Sequence, residues 1–160
     1  MTPHVSPRIS ESGQATLELA LSLPLFALLI LGTAEIANLA WTSVQVNNAA
    51  RAGAAYASLS RANAASTTDI QLAAQNEAPR IITSPTTQVT STQICYCITG
   101  TETTTDSGCT TTTLTSCPSP DIIQVAVQVN VNAPVTPLIH YAGLPGSYTV
   151  HAQATLGVEQ

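Results

Sequence analysis

The distribution of large apolar side chains divides the chain into two parts. From Leu19 to Ala34 there is no charged residue, and nine positions hold leucine, isoleucine or phenylalanine. Apolar character continues to Trp41, so the run reaches the roughly 20 residues that a helix needs to cross a bilayer. On insertion scales these side chains contribute about −3 to −5 kcal/mol, against about 2.5–3.5 kcal/mol for one central carboxylate. The pattern predicts a membrane anchor at about residues 17–41, although it includes Glu18.

Helical character continues beyond the anchor. Residues 36–60 contain no proline, one glycine and many alanines, the strongest helix former. We expect one helix over residues 14–60, kinked at Pro24, because proline removes a backbone hydrogen bond and crowds the preceding turn. Small residues at four-residue spacing share one face of this helix: Ala49, Gly53 and Ala57. Such a face allows close approach of either another subunit or the chain's own sheet, and both interpretations stay open.

After residue 60 the pattern becomes that of a small α+β domain. A short helix is predicted over residues 68–80. Alternating apolar and polar side chains predict strands over residues 123–131 and 148–156, and a third strand is expected over 89–98. Pro134 is expected in the connection between the last two strands. An antiparallel sheet of these strands would pack on the second half of the long helix.

All four cysteines lie in and after the strand predicted at residues 89–98: Cys95, Cys97, Cys109 and Cys117. We expect that strand to face the core with Ile94, Tyr96 and Ile98, which turns both of its cysteines towards the threonine-rich loop. A bridge between those two cysteines would strain its short ring, so each is expected to pair with Cys109 or Cys117, in either order. Two such disulfides would limit the unfolded freedom of loop 95–117. A zinc site is the alternative, but this is not a usual ligand spacing.

Composition restricts the partners. Only 8% of residues are charged, there is no lysine, and the formal net charge is −5. Four scattered arginines do not form the basic stripe that a nucleic-acid-binding protein uses to neutralise phosphates. An anionic membrane surface would not attract the chain either. We therefore expect no nucleic-acid partner, and any association with a lipid bilayer must be hydrophobic.

No catalytic constellation accompanies this pattern. His4 lies in the head of the chain, His140 in a proline-rich connection, and His151 on the polar face of a predicted strand. There is no nucleotide-binding loop, nucleophile elbow or cluster of metal ligands in the sequence. We expect no enzymatic activity, no cofactor and no metal.

The segment around Gly13 carries the functional signal. Gly13 precedes the apolar run, and Glu18 follows five residues later, which is the processing signature of type IV pilin-like proteins. Residues 13–57 resemble the TadE-like family, the minor pseudopilins of tight-adherence (Flp) pili. The resemblance rests on Gly13, Glu18, Ala20, Pro24, Glu35 and the segment 48–54. The chain departs from the family after Gly53, where Ala55 and Tyr56 replace a second basic residue that members often carry.

The resemblance implies an α+β, pilin-like fold, with a long N-terminal transmembrane helix continuing into a small antiparallel β region. It also implies a leader, residues 1–13, that a prepilin peptidase removes after Gly13. A glycine there would leave the backbone accessible in extended form. The cut creates an α-amine on Gln14, and Glu18 would meet that amine of a neighbouring subunit. Glu35 is expected either to face solvent at the outer interface or to pair with Arg51 of a neighbouring subunit.

We therefore expect a minor pilin or pseudopilin that is single-pass in the inner membrane, with residues 61–160 outside the cytoplasm or in a surface pilus. Its partners would be the prepilin peptidase, other pilin subunits, the assembly machinery and the lipid bilayer. Two alternatives lack a pilus role: an exported, disulfide-stabilised protein whose signal peptide is cut after Ala34, and a membrane-anchored protein with an uncleaved head. Whether the subunit enters a filament or assists assembly from the membrane stays open.

Overall fold

The computed structural model describes residues 12–97, 123–139 and 146–159. In chain order its elements are α1 (Ser12–Ser58), α2 (Arg61–Ala65), α3 (Thr67–Glu77), α4 (Pro85–Gln88), β1 (Val89–Cys97), β2 (Ile123–Val135) and β3 (Tyr148–Gly157). Contacts divide the chain into two units, Met1–Asn38 and Leu39–Gln160. We call them the anchor unit and the folded unit. Helix α1 begins in the first and ends in the second.

Large apolar side chains surround α1 in the anchor unit. From Leu17 to Ile36 each exposes between 42 and 73% of its surface. A helix that is apolar on all faces requires apolar surroundings, either lipid or the core of a larger protein. Among the described residues, α1 is the one helix long and apolar enough to cross a membrane, and none of its most apolar stretch is buried within the chain. Pro24 lies inside this helix, and the kink at Pro24 stays a prediction.

The three strands form an antiparallel sheet with β2 at its centre. Val131 of β2 pairs with Val89 of β1 on one side and with Ala152 of β3 on the other. The valines at alternate positions from 125 to 131 are buried, as a period of two along a strand predicts. The sequence therefore predicted the central strand and its core face correctly.

The structure extends β2 beyond its predicted end. The strand runs to Val135 and contains Pro134, which the sequence placed in the following connection. Pairing with β1 ends at Val131, so the last part of β2 pairs with β3 alone among the described strands. Proline is tolerated where a strand has a neighbour on one side only, because its missing N–H then costs no hydrogen bond.

The second half of α1 packs on the sheet through small residues. Ala49, Ala54 and Ala57 are fully buried in the core. A Cβ placed on Gly53 would lie 3.2 Å from Val129 Cγ1 and 3.3 Å from the carbonyl oxygen of Ile70, on β2 and α3. Helix α3 agrees with the helix predicted over residues 68–80. The fold is α+β, a long apolar helix packed against a three-stranded antiparallel sheet, as the sequence predicted.

The predicted faces of β1 are wrong. Cys95 exposes only 9% of its surface and lies in the hydrophobic core, whereas Ile94 lies on the other face and is half-buried. The reason is the register. Residues directly opposite each other in a sheet point to the same side, and Cys95 lies opposite Val125 of the core. The side chains of Tyr96 and Ile98 lie outside the described part of the chain.

Glutamine side chains fix the segment between α3 and β1. Gln88 is buried; its amide nitrogen donates to the carbonyl oxygen of Ile81 at 3.2 Å, and its amide oxygen accepts from the backbone N–H of Ser84 at 2.8 Å. Gln71 of α3 donates to the carbonyl oxygen of Val89 at 3.0 Å. These bonds satisfy backbone groups that no helix or strand would pair, and they attach β1 to α3.

Candidate functional site

The predicted cleavage site lies in the first turn of α1. Gly13 and Gln14 are exposed, and no heavy atom would lie within 4 Å of a Cβ on Gly13. The backbone of Gly13 is helical, and its carbonyl oxygen accepts a hydrogen bond from Thr16 Oγ1 at 2.9 Å. The expected extended conformation is therefore not the one found. A glycine weakens a helix by about 1 kcal/mol relative to alanine, so the first turn is easy to unwind for a peptidase.

Glu18 lies four residues after Gln14, and residues at this spacing share one face of a helix. Both are exposed. Glu18 is the one charged residue in the sequence from Ser12 to Ala34. A carboxylate in lipid is costly unless a positive group neutralises it. An α-amine on Gln14 would supply such a group one helical turn away along the same face.

Hydroxyl side chains of the anchor unit form hydrogen bonds within the helix. Ser22 Oγ donates to the carbonyl oxygen of Leu19 at 3.2 Å, and Thr33 Oγ1 donates to that of Ile30 at 2.9 Å. Bonds of this kind satisfy a hydroxyl without water. Since lipid offers no hydrogen-bond partner, these residues remain compatible with an apolar environment.

The two candidate assembly residues further along α1 lie in different units. Glu35 is half-buried in the anchor unit, and Arg51 is exposed in the folded unit. The exposed guanidinium of Arg51 is accessible to another molecule. The pairing of Glu35 with Arg51 between subunits stays a prediction.

The small-residue stripe lies inside the folded unit. Ala49, Gly53 and Ala57 are all buried within the single chain, and Gly53 directly faces Val129 and Ile70. Of the two open interpretations, the geometry corresponds to packing within the subunit. The stripe offers no surface to a second helix.

Cys95 is disulfide-bonded and packs on the helix-facing side of the sheet. The other three cysteines are its possible partners, and the side chains of Cys97, Cys109 and Cys117 lie outside the described part of the chain. The connectivity therefore stays a prediction. Among the residues that the structure describes, no group of three or more histidine, cysteine or acidic residues could hold a metal ion.

A polar pair on the outer face of the sheet was missed by the sequence reasoning. His151 of β3 lies opposite Asn132 of β2, with 2.6 Å between its Nδ1 and the amide oxygen of Asn132. The amide oxygen accepts, so the ring nitrogen donates. The register of the two strands would have revealed this pair. His4 and His140 lie outside the described residues.

An apolar helix with Gly13 in its first turn and a glutamate five residues later, which continues into an α+β unit, has a pilin-like arrangement. The model of the family described as TadE-like protein matches residues 13–55, which confirms the resemblance drawn from the sequence. No curated protein and no solved structure matches the chain. The family match implies a pseudopilin-like protein associated with a Tad pilus, and such proteins are generally structural and not enzymatic.

Proposed function

We propose that this chain is a minor pseudopilin of a tight-adherence pilus, matured by a prepilin peptidase that cuts between Gly13 and Gln14. The observation that carries the proposal is α1 itself. It begins one residue before Gly13, is apolar on every face through the anchor unit, and contains the whole segment that matches TadE-like proteins. The peptidase, other pilin subunits and the assembly machinery are the partners that this function requires.

The proposed location is the inner membrane, with the anchor unit in the bilayer and the folded unit outside the cytoplasm. The disulfide at Cys95 supports an exported folded unit, because disulfides persist in oxidising compartments. Helix α1 passes through Ala34 without interruption and supplies Val46 and Ala49 to the core of the folded unit. A signal peptide cut after Ala34 would divide this helix, which favours a retained anchor.

The proposed assembly contact pairs Glu18 with the α-amine of Gln14 in a neighbouring subunit. Each charge alone is unfavourable in a low-dielectric environment. Pairing them satisfies both groups and also fixes the axial position of one helix against the next. A contact between Glu35 and Arg51 of neighbouring subunits would act at a second level of the same helix, outside the cytoplasmic half of the bilayer.

Complementation of a host strain that lacks this chain tests the proposal. We expect the wild-type chain and Ala34→Leu to restore sheared surface pili, and Gly13→Leu to fail, because a large side chain at Gly13 obstructs the peptidase. Gly32→Leu is the matched control: like Gly13 it is a glycine of α1 with open space at its Cβ position, and it should restore pili.

Two results would count against this function. Normal piliation in the strain that lacks the chain would show that the pilus does not need it. Full restoration by Gly13→Leu, with Ala34→Leu inactive, would point to a signal peptide and to an exported protein.

A further inference from the structure

Two contacts fix the direction of α1 against the sheet within the folded unit. At the end of α1, the carbonyl oxygen of Ser58 accepts a hydrogen bond from the backbone N–H of Glu159 at 2.9 Å, and the residue before Glu159 donates to the carbonyl oxygen of Val125 at 2.7 Å. Earlier in α1, Gly53 faces Val129. The end of α1 therefore lies beside the start of β2, and the two elements run in opposite directions.

This direction shows which part of the sheet lies beside the start of the folded unit. From Val129 to Val135, β2 advances about 20 Å. Over the same distance a helix advances by about 13 residues, which leads from Gly53 back to about Ala40, next to Trp41. Burial agrees, because the folded unit covers α1 as far as Val46 and Thr42, which expose 0 and 7% of their surfaces.

The end of the folded unit that contains its first α1 residues therefore also includes the end of β2 and the start of β3. Val135 pairs with Tyr148 there. At this end Leu39, the first residue of the folded unit, exposes 44% of its surface. Four further large side chains are exposed there: Trp41 (64%), Val44 (56%), Leu138 (62%) and Tyr148 (38%). We call these four residues the proximal patch. Trp41 follows Leu39 by two positions.

The absence of charged residues around this patch indicates what kind of partner it fits. The sequence from Ile122 to Val158, which covers β2, β3 and their connection, contains no aspartate, glutamate, lysine or arginine. Tryptophan, tyrosine and leucine without charged neighbours at one end of a unit fit the boundary between the acyl chains and the headgroups of a bilayer, where aromatic side chains are enriched. An exposed apolar patch in water would instead favour aggregation.

We propose that the proximal patch is a second membrane contact, through which the folded unit stands with its β2–β3 end in the outer interfacial layer of the bilayer. The proposal rests on the membrane anchoring in the proposed function. Trp41 and Tyr148 then lie at headgroup level, and Leu138 reaches the start of the acyl chains. The opposite end of the sheet, at Leu156 and Glu159, lies away from the lipid.

Fluorescence of the full-length protein in phosphatidylcholine vesicles tests this contact. Trp41 is the chain's single tryptophan, so Trp41→Phe provides a silent background. In that background Leu138→Trp places a reporter in the patch, and Tyr148→Trp provides a second one if the first disturbs folding. We expect blue-shifted emission from both, and loss of intensity in vesicles that contain phosphatidylcholine brominated near the headgroup.

Leu156→Trp in the same background is the matched control, because Leu156 is exposed to 41% on the same strand as Tyr148. Its emission should be unaffected by brominated lipid and quenched by aqueous iodide. Water-like emission at positions 138 and 148, while Trp41 of the wild-type protein is quenched by brominated lipid, overturns the second contact and leaves the anchor intact. Equal lipid quenching at position 156 overturns the end-on placement. Absence of lipid quenching at Trp41 overturns the anchoring itself.

Discussion

Gly53 of α1 faces Val129 of β2 so closely that a Cβ at position 53 would lie 3.2 Å from Val129 Cγ1. Among the glycines that the structure describes in the folded unit, an added Cβ would come closest to a side chain of the central strand at this position. Alanines make most of the rest of the contact, because small side chains let a helix backbone approach a sheet of valines. The packing of α1 on the sheet thus depends on the absence of a side chain at position 53.

Replacement of this glycine tests that packing. We expect Gly53→Leu to destabilise the folded unit by about 3 kcal/mol, because overpacking a well-packed core forces side chains and backbone to move. Ala55→Leu adds similar bulk to an exposed position of the same helix and should change the free energy of unfolding by less than about 0.5 kcal/mol. Denaturant unfolding in detergent micelles measures both. Equal stabilities of the two variants would contradict the packing.

Gln88 provides a second test of stability. We expect Gln88→Leu to cost about 2 kcal/mol, because the backbone groups of Ile81 and Ser84 lose their bonds to its side chain. Gln153→Leu is the control, since Gln153 is exposed on β3. The same unfolding experiment compares them, and a stable Gln88→Leu protein would show that these bonds contribute little.

Glu18 should affect insertion and assembly in opposite directions. Glu18→Gln removes a charge whose cost in a bilayer is up to about 2.5–3.5 kcal/mol, so the variant should remain in the membrane fraction after alkaline extraction. It should nevertheless fail to co-purify with the other pilus subunits, because the α-amine of Gln14 loses its partner. Ser22→Ala, on the same stretch of α1, is the control and should both remain in the membrane fraction and co-purify with the other pilus subunits. Normal assembly of Glu18→Gln would rule out the proposed ion pair.

The cysteines give a prediction that falls mainly on residues 98–122, outside the described part of the chain. We expect the denatured, unreduced protein to have no thiol that reacts with maleimide, and the reduced protein to have four. Non-reducing peptide mapping should link Cys95 to Cys109 or Cys117. Reduction should lower the stability by about 3 kcal/mol if a loop of about 15 residues is released. A Cys95–Cys97 bridge in the map would contradict the predicted pairing.

The sequence predicted the long apolar helix and the central strand because their patterns are strong and local. Leucines fill the anchor, and valines alternate along β2, so each pattern indicates its own element without knowledge of the rest. Strand β1 is different. Polar and apolar side chains occur on both of its faces, and only its register with β2 places Cys95 in the core.

The contacts of the folded unit could not be predicted for a related reason. The approach of Gly53 to Val129 joins residues that are far apart in the sequence, and the sequence left open whether the small-residue stripe meets the sheet or another subunit. The helical backbone at Gly13 was also not predicted, because glycine has a weak helix propensity. The long helix that follows Gly13 overcomes this weak propensity.

The N-terminus of the mature protein tests the central claim most directly. It can be determined by intact mass and terminal sequencing of the chain from membrane and sheared-surface fractions. The account predicts that the chain begins at Gln14 in the normal host. In a host without its prepilin peptidase, the chain should retain residues 1–13. A chain that begins at Glu35 in both hosts, or one that keeps Met1 in both, would contradict the pseudopilin account.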